Sequence, residues 1–600
     1  MKLDRIRTLS TIILPREEIA APETLYYRCK QLDSWQRIKE GGLKYTPNPS
    51  RNKGEIEFST YFNAFSLTTW CSAAGINSII IKLVIKGNST IRIWKENSQE
   101  RRTLIWEQEA NSESEETIEI KIQDLENAQG ILYPQFLVRD KFFIFKNGFY
   151  QTTQKRRIDP RMAIIMPTYK REKYVKRNIN LISKDVLDGS SGEIKIFIID
   201  NGKSVNIEES ENISIIDNEN YGGAGGFARG ILAAIYNKNK YTHALFCDDD
   251  VLIEPESIKR LFELIGSIGE KQFVPGGMLN AGEKTRLHEI GAIVNGLQFR
   301  GLKANINLKE KKEIINYNKT DWATFWGWWF VCYPIEFLNN NFPLPFFVGW
   351  DDVEFGKRIQ ANGYQPVYLN GVSVWHDEFH KKEMNWRWYY HSRNGIIVNF
   401  IYSQNKEFIK NFFRETMFAL ITYRYERASF LIEGAKDALK GKNYLSEIDP
   451  AKFHLELSKK QKHGLTKIAY DTIIHEKFNQ SNSTGKIKRL IIKLTLNGHI
   501  LPNLLHLNAS NPSMPGYLIE PLHSLRYNAI FRHPIVLYYE PTSNQGILCH
   551  INRKKFFMTT AKLFIVTILL LKKRKKLMKE WRESSKYIGN IEYWKKKYDI

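Results

Sequence analysis

The sequence predicts an α/β protein: a central parallel sheet covered on both faces, preceded by a β-sandwich and followed by a basic, mostly helical region. Three observations carry this. Between residues 162 and 248, short apolar runs alternate with helical patterns, the texture of a parallel sheet with helices on both faces. Residues 1–155 lack helical periodicity and carry β-branched runs set off by Gly, Asn and Ser. Beyond 400 the apolar spacing turns helical and the charge strongly positive.

A chain of 600 residues exceeds what one hydrophobic core supports, and the texture divides it into 1–155, 156–400 and 401–600. With 42% hydrophobic and 13% aromatic residues it is globular, not disordered. The five cysteines are scattered, odd in number and never in metal-ligand spacing, which excludes a disulfide framework and a zinc site. The opening MKLDRIRTLSTIILPREE has too short an apolar patch for a secretory signal, so a cytoplasmic setting is expected.

The elements follow in order. IIIKLVIKG (79–87), STIRIWKE (89–96) and ETIEIKI (116–122) read as three strands of the sandwich. MAIIMP (162–167) is a buried strand, and KREKYVKRNINLIS after it has apolar residues at helical spacing. IKIFIID (194–200), ISIID (213–217) and THALFCD (242–248) are further strands, with the helical FARGILAAIYNK (227–238) between the last two. Asp200, Asp217 and Asp248 each close a strand, which gathers acids on the carboxyl edge where such sheets bind ligands. NFFRETMFALITYRYERASFLIEGAKDALKGK (411–442) reads as helix.

The chemistry concentrates in six stretches. In CDDDV, Asp248 and Asp250 alternate onto one side and could share a hard divalent cation, Mg²⁺ or Mn²⁺, while Asp249 points elsewhere; a solvated turn or helix cap is the plain alternative. NYGGAGGFARG (220–230) places glycines before a helix, either as an anion-binding backbone or as a flexible loop. In PTYKRE (167–172) Pro167 stops the strand and Arg171 can reach a phosphate; an ordinary strand-to-helix turn fits as well. Trp350, Asp351 and Asp352 deliver an aromatic ring and two acids to a helix start, where capping accounts for one acid and a sugar-stacking, proton-accepting pair would use both. The tryptophans of TFWGWWFVC (324–332) are either core or a carbohydrate platform. In VSVWHDEFH (372–380), His376 is either a satisfied side chain or a third metal ligand.

Taken in this order, PTYKRE, IIDNG, NYGGAGGF, CDDDV, WDDVEF and the later WH resemble the inverting family 2 glycosyltransferases of GT-A (Rossmann-like) fold. The match is nearest to bacterial galactofuranosyltransferases of the mycobacterial galactan-polymerising type, from TYFNAF (60–65) through the WDD-x-E stretch. That resemblance implies Asp248, Asp250 and His376 as ligands of Mn²⁺ or Mg²⁺ and Asp352 as general base. It implies Pro167, Thr168, Tyr169, Arg171, Asp200, Asn220, Gly222, Gly223 and Asp249 around the nucleotide sugar. Trp328, Trp329, Trp350, Asp351, Glu354 and His391 would meet the acceptor. The implied donor is a UDP-sugar, UDP-galactofuranose first and other UDP- or dTDP-sugars as alternatives, and the acceptor a glycan or lipid-linked glycan. A metal-dependent phosphohydrolase and a non-catalytic glycan-binding protein are the rival classes; neither needs the glycine and WDD elements together. Homo-oligomerisation stays open.

The net charge is +23, and residues 551–600 hold fifteen Lys and Arg against four Asp and Glu. No nucleic-acid module accompanies this charge, so acidic lipid is the expected partner and nucleic acid is not. The apolar run 556–571, interrupted by Lys562, falls short of the roughly 20 residues a spanning helix needs. It is either a core helix or a helix lying in the inner face of the cell membrane, holding the enzyme there peripherally.

Overall fold

The computed structural model describes residues 6–30, 34–38, 41–46, 53–139, 142–188, 193–377, 385–462, 465–467, 485–506, 518–541 and 543–600. Residues 378–380 of the VSVWHDEFH stretch fall outside them.

The N-terminal region is an antiparallel sheet folded over on itself. Strands β1 (Ile79–Glu96) and β2 (Arg102–Ile122) form one long hairpin. The first half of β1 pairs with β4 (Phe143–Thr152) and its second half with β3 (Ile131–Arg139). The two halves therefore become facing layers, and Phe136 of β3 packs on Phe143 and Phe145 of β4 at 5.2 and 5.5 Å between ring centroids. The sequence divides β1 in two at Gly87–Asn88, but the chain only bends there. The ladder to β2 continues on either side of a register shift, so a turn signal has become a fold line.

The central sheet has β5 (Met162–Thr168), β6 (Ile194–Asp200), β7 (Ile213–Asp217) and β8 (His243–Cys247) in parallel, in the order β7-β6-β5-β8. It extends antiparallel through β10 (Phe330–Pro334) and β9 (Gln272–Pro275), to the short β11 (Gln365–Pro366). Every residue of β8 and β10 is buried, because helices cover both faces. Thr168, Asp200 and Asp217 lie in register, so the expected acidic rim is a real edge. Helix α1 (Glu172–Ile182) follows β5.

Helix α2 (Gly222–Ile235) begins earlier than the apolar spacing suggests and takes in all the glycines from Gly222 to Gly230. Their use is mostly close packing: a Cβ added at Gly226 would stand 2.6 Å from Pro167 Cβ, and one at Gly230 2.1 Å from Ile165 Cγ2. Helix α3 (Asp351–Ala361) carries the two acids after Trp350, and β12 (Ser373–His376) belongs to a second small sheet beside the acid turn.

Beyond lie α4 (Arg387–Tyr402), α5 (Glu407–Ile421), α6 (Tyr425–Ala438), α7 (Arg553–Ile588) and α8 (Ile591–Tyr598). The 411–442 run breaks between α5 and α6, where Tyr423 takes a left-handed conformation with φ 63°. This region is not helical throughout: Thr466–Lys467, Leu518–Pro521, Ile535–Glu540 and Gln545–His550 form a four-stranded sheet. IVLYYE, rich in β-branched and aromatic residues, has the composition of its central strand.

Candidate active site

The acid triplet starts where β8 ends. Asp248 N–H still donates to Trp329 O at 3.2 Å, and Asp249 and Asp250 lie in the bend beyond. Although no longer on a strand, Asp248 and Asp250 converge with His376, each offering a ligand atom within 4.8 Å of the others. His376 Nε2 lies 3.2 Å from Asp250 Oδ1, and its Nδ1 is 2.5 Å from the Asp377 carbonyl oxygen. Burial, then repulsion from Asp250, pushes the Asp248 carboxyl up to about 7. Burial works to lower the His376 imidazole, but its hydrogen bond and charge contact with Asp250 outweigh it and the net direction is upward. Two crowded carboxylates and an imidazole form a hard-donor set whose repulsion a divalent cation would relieve, so these residues fit Mg²⁺ or Mn²⁺.

Asp249 turns the other way and ties the edge together. It accepts from Thr168 Oγ1 at 2.7 Å and from Arg171 Nη1 at 3.0 Å, while Asn178 donates to its backbone carbonyl. Arg171 Nη1 also reaches Asp250 Oδ2. The sequence offers no Lys or Arg within five residues of the triplet; the fold supplies Arg171 from 77 positions upstream of Asp248. Tyr169 is exposed beside it, and Pro167 lies beneath α2.

Asp200 is fully buried, and its carboxylate accepts from the backbone amides of Gly202, Ser204 and Val205 at 2.6–2.9 Å. Its observed work is to shape the loop after β6. Asn220 Oδ1 accepts from Gly222 N–H at 3.2 Å. Gly222 sits at φ 74°, and a Cβ there would fall 2.0 Å from Phe347 O, a position only glycine fills. Gly223 N–H donates to that same carbonyl at 2.9 Å. The glycine turn is thereby stitched to the loop that delivers Trp350.

Across the cleft, α3 presents Asp351 and Asp352. Burial holds the Asp351 carboxyl up at about 6. Burial first, then Asp351, Glu289 and Asp248, raises Asp352 well above the ordinary carboxylate range. Glu289, itself pushed up to about 7 by burial, is a site acid that sequence reading passes over. Only its place in TRLHEIGAI, an unremarkable strand, was visible.

Three expected acceptor contacts have other work. Trp328 and Trp329 are each only 5% exposed and form no open platform. Trp328 meets Phe227, Phe246 and Phe355 at 5.0–5.4 Å, and Trp329 Nε1 donates to Gly276 O. Trp328 fills the layer between the sheet and α3, and Trp329 packs against Gly276 and Gly327. Glu354 is buried and paired with Arg358, with Tyr402 donating to it at 2.7 Å, because a buried carboxylate must be compensated. Trp350, at φ 68°, places its Nε1 3.3 Å from His391 Nδ1, and His391 Nε2 lies 3.1 Å from Glu415, which also holds Arg427. His391 is thus fixed at the rim. A separate cavity of about 510 Å³, among Tyr423, Arg424, Tyr538 and Met558, holds none of these acids.

A parallel sheet with a metal-type acid pair on its carboxyl edge, faced by an independent carboxylate helix, is the layout of a GT-A glycosyltransferase. The chain is a glycosyltransferase with a family 2 domain: residues 163–324 match the family described as Glycosyl transferase family 2, and residues 9–150 match Galactofuranosyltransferase 2 N-terminal. It is 23% identical over 455 residues to Galactofuranosyltransferase GlfT2 of Mycobacterium tuberculosis, 70% of each chain. It is also 23% identical over 428 residues to the GlfT2 of Mycolicibacterium smegmatis, 66% of each. The chain thus spans about two thirds of those relatives. Among solved structures, mannosyltransferase PcManGT from Pyrobaculum calidifontis, in complex with GDP-Man and Mn²⁺, is 11% identical. It covers 51% of this chain and 82% of its own, at a TM-score of 0.29 too low to carry an argument.

Proposed function

We propose that this enzyme is a metal-dependent, inverting transferase that moves galactofuranose from UDP-galactofuranose onto a hydroxyl of a growing, lipid-linked cell-surface glycan. The observation that carries the reading is the pairing of Asp248, Asp250 and His376 with the separately raised carboxyl of Asp352. The names of the relatives support the sugar.

Asp248, Asp250 and His376 would hold the cation, which when bound neutralises the charge developing on the departing diphosphate. Arg171 keeps Nη1 on the acids, while its Nε and Nη2 have no hydrogen-bond partner among the described residues and are available to phosphate oxygens. The amides of Gly222 and Gly223 are held by Asn220 Oδ1 and Phe347 O, so the glycine turn would serve the donor through its shape and close backbone approach. Asp352 takes the proton of the acceptor hydroxyl as that oxygen bonds to the anomeric carbon from the face opposite the diphosphate. The anomeric C–O bond to phosphate breaks, and UDP leaves with its electron pair. One carboxylate base without a protein nucleophile gives inversion. A raised Asp352 suits a base working near neutral pH.

The decisive experiment is a donor panel with Mn²⁺ and a galactosyl lipid acceptor; consumption of UDP-galactofuranose alone is expected, and preference for another nucleotide sugar overturns the assignment. Asp352→Asn should bind UDP with Mn²⁺ as the wild type does while transfer falls by about 10²–10⁴ or more. Full activity in that variant removes Asp352 from its role.

Membrane association is part of the same proposal. No helix among the described residues is long and apolar enough to cross a membrane. Helix α7 is amphipathic instead: Phe556, Leu563, Val566 and Leu570 face the core, while Phe557, Phe564, Ile565, Ile568 and Leu571 stand exposed on the opposite side. Lys554, Lys572 and Lys575 lie on that outer face, an arrangement suited to anionic lipid at the inner leaflet.

A further inference from the structure

Helix α8 sits within the basic end of the chain, yet it packs against α2, the helix that opens with the glycine turn. The Tyr598 hydroxyl donates to the carbonyl oxygen of Gly225 at 2.6 Å. Its phenol also lies beside the Asn218 side chain, which donates to Asn201 Oδ1 at 2.8 Å. The Tyr598 ring lies 5.7 Å from that of Tyr221 and stacks on Trp594 at 5.6 Å. Trp594 is buried and donates its Nε1–H to Pro343 O at 2.9 Å. Lys597 covers the Tyr221 ring at 4.8 Å.

The turn between α7 and α8 grips the other side of the cleft. Gly589 O accepts from Phe342 N–H at 2.9 Å and from Arg358 Nη1 at 3.2 Å, and Arg358 is the partner of Glu354 on α3. Ten residues, Gly589–Tyr598, therefore touch the glycine turn, Asn218 just after β7 and the helix of Asp352 together. The carbonyl of Gly225 already belongs to the helical ladder of α2, so the bond from Tyr598 is additional to what that helix needs to exist. A buried phenol is costly without partners, and those it has lie at the donor edge.

We propose that Gly589–Tyr598 is a clasp that fixes the glycine turn Asn220–Gly223 against the Asp352 helix, with Tyr598 a positioning residue for nucleotide-sugar binding. It acts through Gly225 and Asn218 and touches neither donor nor acceptor. The inference rests on the glycosyltransferase assignment but not on which sugar is carried.

The test is Tyr598→Phe in the full chain, which keeps the ring and removes the donated hydrogen bond. Donor KM, acceptor KM, kcat, the Kd for UDP with Mn²⁺, and Tm are measured beside wild type. The loss of one net hydrogen bond predicts a rise of about 2- to 10-fold in donor KM and in the UDP Kd. Acceptor KM and kcat should stay within two-fold, and Tm should hold. Trp594→Phe, which frees Pro343 O, should move the same two constants in the same direction. Donor KM and UDP Kd at wild-type values in Tyr598→Phe overturn the clasp, whether or not Tm falls. Wild-type enzyme inactive with every donor would instead sink the proposed reaction, while the UDP Kd would still read the clasp.

Discussion

Glu289 stands close enough to Asp352 to raise its carboxyl, and this decides a pH profile. In the proposed role of base Asp352 works when deprotonated, so kcat/KM should climb as pH rises through its pKa. Glu289→Gln removes one repelling charge, lowers that pKa and should move the acid limb to lower pH; an unmoved limb would separate the two residues. Two buried histidines pull acid stability down, against the raised carboxyls of Asp248, Asp351 and Glu289, which act the other way as pH falls. Burial depresses His243 and His499 to about 4 each. An unfolded histidine takes its proton near 6.5, so between 6.5 and 4 the unfolded chain binds more protons. Stability is therefore lost as pH falls through that window, by about 3 kcal/mol per histidine. Urea midpoints at pH 7 and pH 4.5, compared between wild type and His243→Gln, isolate it: the variant should lose less stability between the two pH values. The residue types at the cation site could be read from the chain. The pairing of Arg171 with the triplet, and the presence of Glu289, could not, because both come from distant strands.

Among the elements, α2 departs most from its sequence pattern. Spaced glycines read as a phosphate loop, yet Gly226 and Gly230 serve to bring the helix down on Pro167 and Ile165. Gly222 alone combines a left-handed backbone with contact against Phe347 O. Gly222→Ala should cost about 1–3 kcal/mol and, by tearing that stitch, weaken UDP binding at least about tenfold. A variant with wild-type Kd and Tm would show the turn to be slack. The β1–β2 hairpin gives the converse case. Its alternation was plain, but whether Gly87 turns or merely bends the chain depends on partners that lie 40–60 residues away.

For the whole molecule, the basic end does two things at once. Helix α7 offers an exposed apolar stripe, while α8 packs on the helix that opens with the glycine turn, beside the candidate site. Removing residues 551–600 would therefore confound membrane release with damage to the active site. The clean variant is Phe557→Ser, Ile565→Ser and Ile568→Ser together, all exposed on the outer face of α7, since Phe564 also packs on Phe413 of α5. Its flotation with anionic vesicles should drop several-fold while transfer to a soluble acceptor stays within two-fold; undiminished flotation would assign membrane binding elsewhere.

The chain alone determined the alternating α/β core, the acids at its strand ends, the WDD helix and the amphipathic basic tail. These are local: period, composition and spacing express them within a few dozen residues. Tertiary structure decided that the tryptophans pack inward, that Glu354 is spent on Arg358, that Glu289 joins the site and that the last helix returns to the glycine turn. Each depends on which distant side chain fills a given space or neutralises a given charge, and burial sets that only once the layers have closed.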